Sequence, residues 1–298
     1  MVHREGDTTM MPDSRLRHAE RIERVLAQIE ASDGEAGTLS LEALASTAAL
    51  SPFHFHRVYR LMTGETLAET LRRVRLARTL PELEAEGQSI TRAAAGAGYG
   101  SSQAFARAFR AATGGSASEL RAGRTELIDR LLKPAPGGDG DVALEVEIVS
   151  TDPLRLLAIR NVGAYAELNL TYERLFEAVF SQHPIDALQG IYGVWYEDPR
   201  STEPDALSFD CAIAVGDIVP PEGIGCLELA AGCHARLRHV GDYDSLHESI
   251  DRLYATVIDQ GLGGFADRPL FVNYVDDPSG RVAAELRSDI YLPLDQGH

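Results

Sequence analysis

A stretch of fourteen residues occurs twice in this chain, without a gap and fifty positions apart. Ser51-Pro-Phe-His-Phe-His-Arg-Val-Tyr-Arg-Leu-Met-Thr-Gly64 aligns with Ser101-Ser-Gln-Ala-Phe-Ala-Arg-Ala-Phe-Arg-Ala-Ala-Thr-Gly114. The chain must therefore build the same local unit twice. Ser51 before Pro52 predicts an N-cap with proline in the first helical turn, and Ser101 can cap in the same way. Phe55 with Tyr59, and Phe105 with Phe109, are i,i+4 aromatic pairs that would tie one helix face to a core. Arg57, Arg60, Arg107 and Arg110 then fall largely on the free faces, and Gly64 and Gly114 suit a left-handed helix end.

A further short apolar-periodic helix precedes each copy, over Leu41 to Ala49 and Thr91 to Ala97, and an Arg-rich helix over roughly Leu67 to Leu80 joins the two. A short helix, a tight turn and a basic-faced helix form the arrangement with which helix-turn-helix proteins place their second helix in the major groove. The net charge of −17 argues against a nucleic-acid partner when taken whole, because phosphates need cations. Divided at Lys133, however, the first part holds 18 basic and 17 acidic residues and the second 10 and 28. The acid thus belongs to the second part.

That part repeats itself too. Leu157-Ala-Ile-Arg-Asn-Val-Gly-Ala-Tyr-Ala-Glu-Leu168 parallels Ala235-Arg-Leu-Arg-His-Val-Gly-Asp-Tyr-Asp-Ser-Leu246. Each copy predicts a strand, a glycine turn and a helix, followed by more strands, so a pseudo-symmetric α+β domain with a cleft between its halves is expected. Val142 to Val149 alternates as a strand does. Four segments follow: a polar tail over 1–14, an all-α domain over 15–133, a Pro/Gly linker over 134–141 and an α+β domain over 142–298.

At these residues the chain resembles two known families. Leu67 to Ala77, with Ile90, Ala94, Gly98, Tyr99, Ser101, Phe105, Arg107, Phe109 and Gly114, resembles the AraC/XylS DNA-binding domain, which has two helix-turn-helix motifs. The V-G-x-Y repeats, Gly193 to Pro199 and Asp289 to Leu294 resemble the GyrI-like effector-binding domain, a duplicated strand-helix-strand-strand unit. The order of the two is similar to the Rob subgroup. The resemblance implies a transcription regulator, an activator acting through RNA polymerase, that binds double-stranded DNA and senses a small-molecule effector. Multidrug-sensing relatives place a Glu two residues before the Tyr of a late strand, where Val272 stands before Tyr274 here.

By position in that pattern, Phe53, His56 and Arg57 in the first motif and Ser102, Gln103 and Arg107 in the second are the base-edge candidates. Arg pairs with guanine and Gln with adenine. Arg60, Arg72, Arg73, Arg75 and Arg110 are candidates for phosphates or surface ion pairs. Tyr165, Trp195, Tyr196, Tyr243 and Tyr274 are the effector candidates, because aromatic walls stack on flat ligands or hold cations. Glu285, or Glu197, is a candidate counter-charge for a cationic ligand.

Two rival readings remain at this point: a GyrI-like hydrolase using Glu197, Glu228 or Glu285 as general acid/base, and a protein that sequesters its ligand. No metal or cofactor is expected. His54 and His56 diverge at i,i+2, the spacing of Cys226, Cys233, His234 and His239 fits no zinc site, and neither a phosphate loop nor a nucleophile elbow occurs. The three cysteines are expected to be reduced, and the lack of a long apolar run suggests a cytoplasmic chain without a membrane partner.

Overall fold

A computed structural model describes residues 13–32, 39–85, 89–132, 144–163, 165, 168–276 and 280–295. The expected linker over 134–141 and the first twelve residues of the expected tail lie outside the described residues. The chain divides into two compact units. One holds the described residues within Ile22–Ser40 and Tyr59–Gly138, and the other those within Met1–Arg21, Leu41–Val58 and Asp139–His298. This division differs from the single Pro/Gly boundary expected from the sequence, since residues 41–58 of the first repeat are grouped with the C-terminal part.

The helical elements follow the repeat. They are α1 (Asp13–Ala31), α2 (Leu41–Thr47), α3 (Pro52–Thr63), α4 (Leu67–Ala77), α5 (Leu80–Glu84), α6 (Ile90–Gly96), α7 (Ser102–Thr113), α8 (Ala117–Arg121) and α9 (Glu126–Leu132). Gly64 and Gly114 end α3 and α7 at φ 74° and 75°, the left-handed conformation glycine adopts without strain. The Thr63 hydroxyl donates to the Tyr59 carbonyl and accepts from the Glu65 amide, and that of Thr113 donates to the Phe109 carbonyl and accepts from the Gly115 amide, so both copies close alike.

The helix starts differ. The Ser101 hydroxyl accepts from the Ala104 amide at 3.1 Å, as expected of a cap. The Ser51 hydroxyl is buried without a hydrogen-bond partner among the described residues, so Ser51 is not a side-chain cap. The turn before α7 is also one residue longer. Leu50 and Tyr99 each donate an amide back to a helix carbonyl, of Ala45 and Ala94, and Gly100 is then inserted ahead of Ser101. The Arg-rich helix stops at Ala77 rather than Leu80, because Pro81 has no amide to continue the ladder and starts the short α5 instead.

In the helical unit, Phe105 and Phe109 of α7 pack with Leu76, Leu83, Ala93, Ala94, Leu120, Leu127 and Leu131. Arg73 corrects an expectation. Instead of an exposed phosphate contact it is buried, its Nη2 lying 2.8 Å from Glu65 Oε1 and its Nη1 donating to the Leu131 carbonyl at 3.0 Å. Its position on α4 faces the core, where an unpaired guanidinium would be costly.

The other unit is built on one antiparallel sheet of β1 (Glu147–Thr151), β2 (Leu154–Val162), β3 (Gly190–Trp195), β4 (Ser208–Ala214), β5 (Gly225–Leu229), β6 (Gly232–Val240), β7 (Gly264–Phe265), β8 (Leu270–Tyr274) and β9 (Arg287–Asp295). The order is β1-β6-β9-β8-β3-β4-β2-β5, with β7 paired to β9. Read from the central β8–β3 pair outward, the two copies mirror each other. Helix α10 (Leu168–Phe180) sets Leu175 and Val179 on Leu157 and Ile213, and α11 (Leu246–Gln260) packs against β6. Strand β1 starts at Glu147, later than the alternation predicted, and Val142 itself lies outside the described residues.

Each V-G of the sequence repeat ends a strand. Gly163 and Gly241 have φ of 122° and 148° and donate to the carbonyls of Leu207 and Leu286. Arg160 lies opposite Asp210 and Arg238 opposite Asp289. Each arginine forms a two-pronged pair, with one contact at 2.8 Å to Oδ2, so the repeated Arg is there to hold a nearly buried carboxylate on the neighbouring strand.

The Glu65–Arg73 pair gives a stability prediction for the helical unit. Glu65→Ala should lower its unfolding free energy by about 3 kcal/mol, since it strands a buried charge, and urea unfolding followed by circular dichroism measures this.

Candidate functional site

The exposed polar edge of α7 carries Ser102, Gln103, Arg107 and Arg110, while Phe105 and Phe109 on the same helix are buried. The repeat accounts for this: aromatics four apart take the core side, and the residues between them are left to solvent. Tyr99 meets Phe105 edge-on at 5.4 Å, which fixes the turn ahead of the helix. Arg72 and Arg75 are likewise exposed.

The first repeat is arranged otherwise. Arg57, expected on a free face, is 4% exposed. Its Nη1 is 3.3 Å from Asp251 Oδ1 and 3.8 Å from Asp198 Oδ1, and its Nη2 is buried without a hydrogen-bond partner among the described residues. The expectation fails because residues 41–58 are grouped with the C-terminal part, where Asp251 of α11 and Asp198 of the loop after β3 supply the carboxylates. Phe53 lies 6.1 Å from the ring of Tyr196. His56 is half-buried, and its pKa is lowered by burial. Arg60 is partly exposed.

His54, which the sequence did not single out for this role, is fully buried. Its Nδ1 is 2.6 Å from the Tyr254 hydroxyl and its Nε2 2.8 Å from the Ala266 carbonyl. The contacts assign the proton to Nε2, with Tyr254 donating to Nδ1. Burial holds its pKa down at about 4, opposed by the Ala266 carbonyl and by Asp267.

The effector candidates fall into two groups by strand alternation. On one face of the sheet Tyr165 stands edge-on to Trp195 at 5.3 Å and to Phe209 at 5.5 Å. Tyr243 lies 4.9 Å from Tyr274, which meets Tyr172 edge-on. The two pairs converge on Gly193, where an added Cβ would come within 2.4 Å of Phe209 Cζ and 2.9 Å of the Tyr274 hydroxyl. The Tyr165 hydroxyl and Trp195 Nε1 are buried without hydrogen-bond partners among the described residues. Unmet polar atoms in an aromatic wall are costly unless a ligand or water satisfies them. Burial also raises the pKa of Tyr165 and of Tyr274, so both hydroxyls stay protonated donors.

Tyr196 belongs to the other face. Its hydroxyl donates to Asp210 Oδ2 at 2.6 Å, and the Arg160 guanidinium sits 4.3 Å above its ring. Glu285 is exposed in a short 3-10 turn. Glu197 accepts the Ser208 amide at 2.8 Å, and burial raises its pKa. Among the described residues no group of three or more His, Cys, Asp or Glu is placed to hold a metal ion, and no helix is long and apolar enough to cross a membrane.

Phe209 and Tyr172 were missed in the sequence. Phe209 follows the plain alternation of β4, and Tyr172 the apolar stripe of α10, so neither differs from an ordinary core aromatic until the strands are paired. The Phe271 ring, stacked on Tyr291 at 4.7 Å and 9°, was missed for the same reason.

Residues 144–295 match the family of GyrI-like small molecule binding domains, and residues 44–123 match a helix-turn-helix domain family. The probable transcriptional regulator YgiV of Escherichia coli K12 is 28% identical over 105 residues, 35% of this chain and 66% of that protein, just short of two thirds of its length. The bifunctional transcriptional activator/DNA repair enzyme Ada of the same strain is 36% identical over 92 residues, 31% of this chain and 26% of that protein. The crystal structure of the EcmrR C-terminal domain superposes with a TM-score of 0.44 at 18% identity, covering 52% of this chain and 100% of that one.

Two predictions follow from the geometry. Gly193→Ala should destabilise the sheet unit by about 1–3 kcal/mol through overpacking and shift the emission of Trp195, the only tryptophan in the chain. Acid should act through His54 and His18, whose pKa values are lowered from 6.5 to about 4. A histidine that is harder to protonate when folded stabilises the fold fully above pH 6.5 and loses that contribution as pH falls toward 4. The urea midpoint should therefore be lower at pH 5 than at pH 7, with a shallower drop in His54→Gln.

Proposed function

Because the chain belongs to the GyrI-like small-molecule-binding family and carries an AraC-type helix-turn-helix domain ahead of that part, we propose that it is a transcription regulator that reads DNA and answers to a small effector. The observation that carries the reading is the exposed polar edge of α7. Arg107 and Gln103 stand where a helix in the major groove meets base edges, and Arg110 and Ser102 where it meets phosphates or neighbouring edges. Arg57, Phe53 and His56 hold the corresponding places on α3, with Arg60 toward the backbone. The near-neutral charge of the first part suits a duplex better than the acidic second part, whose carboxylates would repel the phosphates.

The effector site we propose is the aromatic wall of Tyr165, Trp195, Phe209, Tyr243 and Tyr274. Its two unmet donors, at Tyr165 and Trp195, support a ligand with a flat aromatic body and an acceptor edge. Val272 stands where relatives carry a Glu, so a cationic ligand would rely on the ring faces and on Glu197 rather than on a buried carboxylate. Tyr196 and Glu285 have less support as contacts, since one is engaged with Arg160 and Asp210 on the opposite face and the other is exposed. Activation through RNA polymerase is the mode the AraC resemblance favours. Hydrolysis has less support: Glu197 already accepts an amide, and Glu228 and Glu285 are exposed. A cleft that binds ligand with no effect on DNA affinity would instead favour sequestration.

The test is fluorescence anisotropy on a duplex enriched from a random library, with full-length protein at fixed salt. Arg107→Ala is expected to weaken binding by about 1–3 kcal/mol and to relax the preference at one base pair. No enrichment of any duplex would remove the regulator reading.

A further inference from the structure

We propose that the acidic edge of the C-terminal unit is a latch that holds the first DNA-reading helix closed, and that Arg57 exchanges between the carboxylates of Asp198 and Asp251 and the DNA. The proposal rests on the reading of α3 as a DNA-contacting helix.

Residues 52–58 of α3 and the sheet are parts of one compact unit, and the candidate reading side of α3 is the side engaged there. Arg57 Nη1 meets Asp251 at 3.3 Å and Asp198 at 3.8 Å. Arg200 shares both carboxylates, with Nη2 2.6 Å from Asp251 and Nε 3.3 Å from Asp198, so Arg57 shares its acids with a second guanidinium. One residue from Phe53, whose ring faces that of Tyr196, His54 fills both of its ring nitrogens with Tyr254 and the Ala266 carbonyl.

A helix enters the major groove only with this side free, and carboxylates at that place would also repel the phosphates. Docking against α11 and the loop after β3 and reading of DNA therefore exclude each other. The latch is built to release. Arg57 Nη2 has no hydrogen-bond partner among the described residues, and Asp251 is 3.3 Å away at an oxygen that Arg200 holds more closely at 2.6 Å, so these residues do not saturate the guanidinium. The corresponding Arg107 on α7 is exposed, so the second motif is open while the first is shut.

The same strand end joins the latch to the effector wall. Trp195 lines the wall, Tyr196 meets Phe53, and Asp198 holds Arg57, all within four consecutive residues. A ligand seated against Trp195 and Tyr165 that prefers a shifted strand end would favour the open helix by its difference in affinity for the two states.

The test uses the full chain, without ligand, on the selected duplex at fixed salt. Asp251→Asn, and Asp198→Asn with Asp251→Asn, should tighten binding by at least about fivefold, within the usual range of coupling between sites. Adding Arg57→Ala to Asp251→Asn should then weaken it. Unchanged or weaker binding by Asp251→Asn, with loss on adding Arg57→Ala, overturns the latch and leaves the reading of α3 intact. No loss on adding Arg57→Ala, while Arg107→Ala still weakens binding, removes α3 as a reading helix and the latch with it. Wild-type protein gives a second measurement that no folding defect can blur. On adding the duplex, hydrogen exchange around Asp251, Tyr254 and Ala266 should speed up as the helix leaves, and unchanged exchange there overturns the proposal.

Discussion

The pairing of β3 with β8 makes one sheet out of two copies, and the rest of the C-terminal part depends on it. Ile191, Tyr192, Gly193, Val194 and Trp195 lie opposite Tyr274, Asn273, Val272, Phe271 and Leu270. A strand-helix-strand-strand unit alone would leave this edge with unpaired amides and carbonyls. Joined at its centre to a second copy, it closes the edge and brings Phe209 of one copy and Tyr274 of the other to the same glycine. At Gly193 the two copies crowd closely, because only a residue without a Cβ leaves room for the Phe209 ring and the Tyr274 hydroxyl. The aromatic wall is thus a product of the duplication and not of either copy.

The helical unit rests on a similar economy of burial. Paired aromatics in the repeat face the core, and the charged residues between them go to water, except where a partner is supplied inside. Arg73 is buried because Glu65 and the Leu131 carbonyl meet it. Arg57 is buried because Asp198 and Asp251 do. Neither arginine would stay in a low-dielectric site without those oxygens, since desolvating a guanidinium costs more than a single distant charge returns. The two repeats have nearly the same sequence pattern, yet one arginine of the matched pair is covered and the other is open.

Much of the fold was legible. The repeat at fifty-residue spacing gave two glycine-ended helices with aromatic backs, and the V-G-x-Y repeat gave two strand-turn-helix units. Ser101, Gly64, Gly114, Gly163 and Gly241 do what their residue types suggest. Local signals succeed here because caps, left-handed glycines and i,i+4 pairs are settled within a few residues. Ser51 is the local exception, its hydroxyl having no hydrogen-bond partner among the described residues.

The candidate site was legible only in part. The repeat and the motif pointed to Tyr165, Trp195, Tyr243 and Tyr274, whose rings the fold sets beside other aromatics, whereas Phe209 and Tyr172 sit in patterns that every core shares. Tyr196 was assigned to the wall although alternation sends it to the other face of the sheet. By itself the sequence determined the kinds of units, their number and the ends of their helices, since those follow from side-chain chemistry over short spans. Only the tertiary structure decided which arginine is covered, which aromatics meet and which polar atoms are left unmet. Those outcomes depend on residues far apart in the chain, Arg57 with Asp198 and Asp251, or Gly193 with Phe209 and Tyr274, which strand pairing and packing bring within a few ångströms of one another.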